Sequence, residues 1–201
     1  TVNLAILTTA PAVAAEPAYT PGTTNSLSWT TIAGVTSYYL QWSKNSTFAS
    51  LAGSRALTAS AYMVTGLTDG QTYYYRVRCG TAASTQSVWS NVVCSQQDAT
   101  RPRLSAVNVQ DLTTLEVTFS EAVVNADKAV NYSCTGGVTI LSVVRLSDTR
   151  YRLTTTNQTP GTIYTLTVGS AVKDRAGNPM AVGGNSLAFT KTSAAFWPLY
   201  R

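Results

Sequence analysis

The sequence has no histidine, only three cysteines and few charges. Asp, Glu, Lys and Arg make up 11% of its 201 residues, against about 25% in an average soluble protein. Each shortage closes off a class of chemistry. Without histidine, a hydrolytic triad that uses it as base lacks that member, and zinc or haem sites lack their usual ligands. The nine carboxylates are scattered, mostly at turns, and no two are spaced for paired acid–base work. The chain is therefore read as non-catalytic, with no cofactor. Lys and Arg exceed Asp and Glu by 14 to 9, a net charge of +5, yet no basic run forms a track for a phosphate backbone, so no nucleic-acid partner is expected. No apolar run is long enough to cross a bilayer as a helix, and membrane insertion is not expected. Thr, Ser, Tyr and Val are abundant instead, the composition of a β-rich exported protein. Weakly charged β surfaces tend to associate edge to edge.

The most informative stretch runs from Gly66 to Cys79. A turn on Asp69-Gly70 feeds a strand in which Tyr73, Tyr75, Val77 and Cys79 share one face and Tyr74, Arg76 and Arg78 the other. The same offsets of Gly, Tyr, apolar residue and Val recur from Pro160 to Val168. A Tyr three residues after a turn Gly, at the start of an inward-facing strand, is the arrangement of a tyrosine corner, whose hydroxyl bonds back to upstream backbone. Tyr73 and Tyr164 are read as structural on that ground. The repeat divides the chain into two domains of about 90 to 100 residues.

In chain order, residues 1–9 alternate Val2, Leu4 and Ile6 against Asn3 and Ala5, the pattern of a strand. Leu4 to Ala15 has the look of an apolar core before an Ala-Val-Ala-Ala cleavage site, but it lacks a basic leader and is read as part of the folded chain. Leu27, Trp29, Tyr38, Leu40 and Trp42 fall on core parity. These strands, together with Phe48, the Leu67 to Val77 corner and Trp89-Ser90-Asn91, make residues 10–97 resemble a bacterial fibronectin type III domain. Residues 98–102 form a short, Pro-terminated linker. Beyond it, Leu115, Val117 and Phe119 point inward, the Phe-Ser-Glu strand end follows at Phe119 to Glu121, and an Asp-x-x-x-Asn-Pro loop spans Asp174 to Pro179. Here the chain, over 103–191, resembles the bacterial Ig-like domain of S-layer and other cell-surface proteins. The implied fold is all-β, two tandem Ig-like antiparallel sandwiches, and the implied task is that of a spacer, adhesion or scaffold module, extracellular or on the cell surface.

Four groups of residues are candidates for more than packing. Cys79 and Cys94, on neighbouring strands of one hairpin, are expected to form a disulfide, leaving Cys134 as a buried thiol or, alternatively, an intermolecular bridge. Asp174 and Asn178 offer oxygen ligands to Ca²⁺, although a turn stabilised by Asp174 and Gly177 explains them better. Tyr39, Tyr74, Arg76 and Arg78 face outward on adjacent strands as residue types enriched in binding surfaces, while ordinary cross-strand pairing also accounts for them. Val2, Leu4 and Ile6 at one end, and Phe196, Trp197 and Tyr200 in the 192–201 tail, are apolar groups with no place in either sandwich and are read as subunit contacts. The resulting expectation is a structural subunit that assembles with copies of itself or another surface protein into a filament, sheath or layer. The alternative is an accessory region of a larger secreted enzyme or adhesin, acting as a spacer or binding polysaccharide through Tyr39 and Tyr74.

Overall fold

The computed structural model describes residues 9–82 and 85–191. The chain divides into two units between Thr100 and Arg101. In both, strands form where apolar and polar residues alternate, and they stop where glycines adopt the left-handed conformation that other residues avoid, as at Gly70 (φ 72°) and Gly161 (φ 81°).

The first unit contains β1 (Tyr19–Pro21), β2 (Asn25–Ser28), β3 (Ser37–Ser43), β4 (Gly53–Leu57), β5 (Ala61–Val64), β6 (Thr72–Ala82), β7 (Thr85–Gln86) and β8 (Val93–Asp98). One sheet runs β1-β8-β6-β3-β4, with β7 folded onto β6, and β2 pairs with β5 opposite it. The pairs are antiparallel except β1 with β8, which run parallel with Tyr19 beside Gln96 and Pro21 beside Asp98. Leu27, Trp29, Tyr38, Leu40, Val64, Tyr73, Tyr75, Val77 and Cys79 fill the space between. Trp42, expected inside, is only partly buried and packs at the rim of this core, across from Gly53 of edge strand β4.

The residues that mimic a cleavage site lie within this unit. Val13 is buried and bridges Trp29, Ala14 N–H donates to Ser28 O at 2.9 Å, and Asn91 brackets Val13 by accepting from its N–H and donating to its carbonyl.

The second unit contains β9 (Leu104–Val109), β10 (Thr114–Phe119), β11 (Val123–Val124), a 3₁₀ turn (Ala129–Asn131), β12 (Tyr132–Cys134), β13 (Ile140–Arg145), β14 (Arg150–Thr155), β15 (Ile163–Val168), β16 (Lys173–Asp174) and β17 (Ser186–Thr190). One sheet runs β13-β14-β10-β9 and the other β12-β15-β17, with β11 paired to β16. Its separate core includes Leu115, Val117, Phe119, Tyr151, Leu153, Leu166 and Val168. Each unit thus buries its own apolar face between two sheets, as a sandwich must.

Both tyrosine corners are formed. Tyr73 Oη accepts from Thr68 N–H at 3.1 Å and bonds its hydroxyl at 3.2 Å; Tyr164 Oη accepts from Thr159 N–H at 2.9 Å. That donor holds the Tyr164 hydroxyl below the usual phenol range, because an accepted hydrogen bond favours the phenolate.

The expected Cys79–Cys94 disulfide is not formed; all three cysteines are free thiols. The register explains it. Cys94 lies opposite Tyr74, five residues along β6 from Cys79, about 17 Å at the rise of a strand. The faces differ too: Cys79 is buried in the core, whereas Cys94 is exposed. Cys134 is half-buried, and burial pushes its thiol up.

Candidate functional site

The outward faces of β3 and β6 carry a grouping of arginines and aromatic rings in contact. Register pairs Tyr39 with Arg78, Gln41 with Arg76 and Ser43 with Tyr74. Period-two alternation puts these side chains on one face because their neighbours Tyr38, Leu40, Tyr75 and Val77 are core residues.

A residue from outside the sheet completes the arrangement. β8 pairs with β6 only from Thr72 to Tyr75, which leaves Val77 and Cys79 without strand partners on that side. Two serines replace the strand. Ser90 N–H donates to Val77 O at 2.8 Å and its hydroxyl accepts from Val77 N–H at 2.9 Å. Ser87 does the same at Cys79, at 2.8 Å and 3.1 Å. These anchors satisfy backbone groups that would otherwise be buried unpaired, and they hold the intervening Trp89 against β6.

Trp89 then sits between the two arginines. The Arg76 guanidinium lies 4.1 Å from its ring centre and the Arg78 guanidinium 4.6 Å. Arg76 also lies 4.0 Å from the Phe48 ring, and Arg78 lies 5.4 Å from the Tyr39 ring. The result is a ladder in the order Phe48, Arg76, Trp89, Arg78, Tyr39. Each such contact contributes roughly 0.5–1 kcal/mol at an exposed site. Gln41 Oε1 orients Arg76 by accepting from Nε at 3.1 Å and Nη2 at 2.8 Å. Burial, and then the like charge of Arg78, holds the Arg76 guanidinium below its usual range. Phe48 adopts φ 57°, a conformation rare for an aromatic residue, with its ring under Arg76.

The structure therefore brings together Tyr39, Arg76 and Arg78 of the four surface residues singled out from the sequence. Tyr74 stands apart, two register pairs from Tyr39 beyond the Arg76 position, so one sugar ring cannot stack on both. Trp89, Phe48 and Gln41 complete the ladder. The sequence did hold a signal for Trp89: two arginines two apart on a strand, followed by Ser87-Val88-Trp89-Ser90.

In the second unit, Asp174 and Asn178 are also brought together. Asp174 Oδ1 accepts from the N–H groups of Gly177 at 2.7 Å and Asn178 at 2.8 Å, and Oδ2 accepts from Asn178 Nδ2 at 2.8 Å. Both carboxylate oxygens thus fasten the loop's own amides, the work of a turn clamp. Val2, Leu4, Ile6, Phe196, Trp197 and Tyr200 lie outside the described residues.

Two sandwiches, two tyrosine corners and a face of stacked arginines define a class: a tandem all-β module of the kind typical of extracellular and cell-surface proteins, in folds that are generally non-catalytic. More specifically, residues 95–191 match the profile of the bacterial Ig-like domain family, and the second unit is a bacterial Ig-like domain. Among solved structures, the FN1–FN3 domains of chicken CNTN1 are similar at 14% identity and a TM-score of 0.40, covering 92% of this chain and 66% of that one. A fibronectin type III domain derived from human KIAA0970 protein is similar at 11% identity and a TM-score of 0.35, covering 54% of this chain and 81% of that one. No curated protein matches the sequence. The fibronectin type III-like character of the first unit rests on its own strand order and corner.

Proposed function

We propose that the protein is a non-catalytic structural module of the bacterial cell surface that associates with copies of itself through open strand edges. The observation that carries this reading is the flank of the second unit where β12 and β13 each end their sheets. A hollow of about 350 Å³ there is lined by Val130, Tyr132, Cys134, Val138 and Ile140. Val130 is 86% exposed, and Leu141 and Val144 on β13 are exposed as well. β13 carries neither Lys nor Pro, two residues that commonly guard an edge.

An extended segment with apolar residues at alternate positions fits such a flank. Its backbone pairs with a free edge while its side chains enter the hollow. Val2, Leu4 and Ile6 of a second copy supply that pattern, and Phe196, Trp197 and Tyr200 are assigned as the second contact. A head-to-tail contact of this kind, repeated, builds a filament or sheath rather than a closed dimer.

The test is light scattering with negative-stain imaging on the full chain, on a variant lacking residues 1–8, and on Val144→Lys, which places a charge on the edge. The full chain is expected to polymerise and both variants to stay near 21.3 kDa, the mass of one chain. A full chain that remains monomeric at high concentration overturns self-association. Polymers formed by the truncated variant overturn the donor-segment mechanism.

A further inference from the structure

At the Tyr39 end of the ladder lies a cleft of about 380 Å³, lined among others by Ser37, Tyr39, Gln41, Ala56, Arg78 and Gln86. This volume is within the range of small-ligand sites. We propose that this cleft binds an anionic carbohydrate, a uronic acid unit of a polysaccharide, with Arg78 meeting the carboxylate and Tyr39 the sugar ring.

Charge is the first argument. The salt bridges of Arg145 and Arg175 with Asp148, and of Arg150 with Glu116, lie in the second unit. The carboxylates of the first unit are Glu16, Asp69 and Asp98, and none is on β3, β4 or β6. The two ladder arginines also differ. Arg76 is committed to Gln41 through two hydrogen bonds, whereas Arg78 meets only the faces of Tyr39 and Trp89, and its Nε is buried without an acceptor. A guanidinium beside a cleft and without a counter-charge suits a planar carboxylate, which here would be met end-on by the terminal Nη groups, since Nε is buried.

The rest of the lining selects a sugar over an acidic peptide. The floor is made of side chains on β3 and β6, whose backbones pair with each other at Tyr39 and Arg78. On its other side β6 is covered there by Ser87, Ser90 and β7. The one free backbone edge beside the described cleft residues, on which an extended peptide could pair, is therefore the outer edge of β4, off the floor itself. What it offers is an aromatic ring, apolar on its face, and the amides of Gln41 and Gln86, which match the C–H face and the hydroxyls of a pyranose. Gln41 keeps its amide N–H₂ as a donor while its oxygen serves Arg76.

The experiment is a calorimetric titration of the full chain with a tetragalacturonate, beside a neutral galactose oligomer and a glutamate oligopeptide. Binding is expected for the uronate alone and should weaken as salt is added. Arg78→Gln should abolish it. Because that change also removes a rung of the ladder, Gln86→Glu and Ala56→Glu serve as second variants: both place a carboxylate at the exposed cleft rim, and each should weaken binding roughly tenfold with unchanged melting. The proposal is overturned by no uronate binding, by equal binding of the neutral oligomer, by binding of the glutamate peptide as tight as that of the uronate, or by undiminished affinity in both rim variants. The same titration on Val144→Lys should give the full-chain affinity, which separates this site from self-association.

Discussion

At the scale of single residues, the three thiols are the most direct check on strand register. Cys94 is exposed opposite Tyr74, Cys134 is half-buried, and Cys79 is in the core with its Sγ 3.7 Å from Thr9 O. Alkylation of the folded protein without reductant should modify Cys94 quickly and Cys79 only after unfolding, with mass spectrometry counting three free thiols in denaturant. A Cys79–Cys94 bridge in that digest would mean the β6–β8 register is wrong. The sequence misleads here for a physical reason: hairpin proximity is local information, but the offset between two strands is set by the sheet as a whole. Tyr73 and Tyr164 were legible by contrast, because a tyrosine corner is complete within six residues of chain. Trp89 was not read as part of a face, since a segment crossing over a sheet has no period of its own.

At the scale of elements, two glycines show where neighbouring strands leave no room for a side chain. A Cβ on Gly53 of β4 would lie inside the Trp42 indole, its Cε2 only 2.5 Å away. A Cβ on Gly136, just after β12, would lie 2.8 Å from Tyr164 Cε1, and Gly136 has φ 68° besides. Gly136→Ala should destabilise the second unit by about 1–3 kcal/mol, by overpacking the corner tyrosine and straining the turn. The check is denaturant unfolding followed by near-ultraviolet tyrosine signals; a variant as stable as the parent would mean the corner tolerates displacement. Core parity was readable in most strands, as with Leu27 and Leu40 or Leu115 and Val117, since one buried face imposes alternation. Trp42 broke the pattern because β4 is an edge strand that leaves one side of the indole open.

At the scale of the whole molecule, each unit has its own core, so unfolding should proceed in two steps rather than one. Tyr73→Phe removes a hydrogen bond from the first unit and Tyr164→Phe one from the second, each about 1 kcal/mol. In calorimetry each variant should lower one transition and leave the other in place; a single transition moved by both would refute independence. That the fold is two tandem sandwiches was legible from the repeated corner, whereas the parallel pairing of β1 with β8 was not, because a three-residue strand has too few positions to show a pattern. That short pairing sets how the first unit resists being stretched. Its first strand and its last run side by side in the same direction, so tension applied at the two ends of the unit pulls them past each other lengthwise. The bonds joining Tyr19–Pro21 to Gln96–Asp98 are then strained together in shear, instead of opening one at a time as in a peeled hairpin. In a single-molecule pulling experiment the first unit is expected to yield in one abrupt step, at a rate governed by its unfolding barrier rather than by its equilibrium stability.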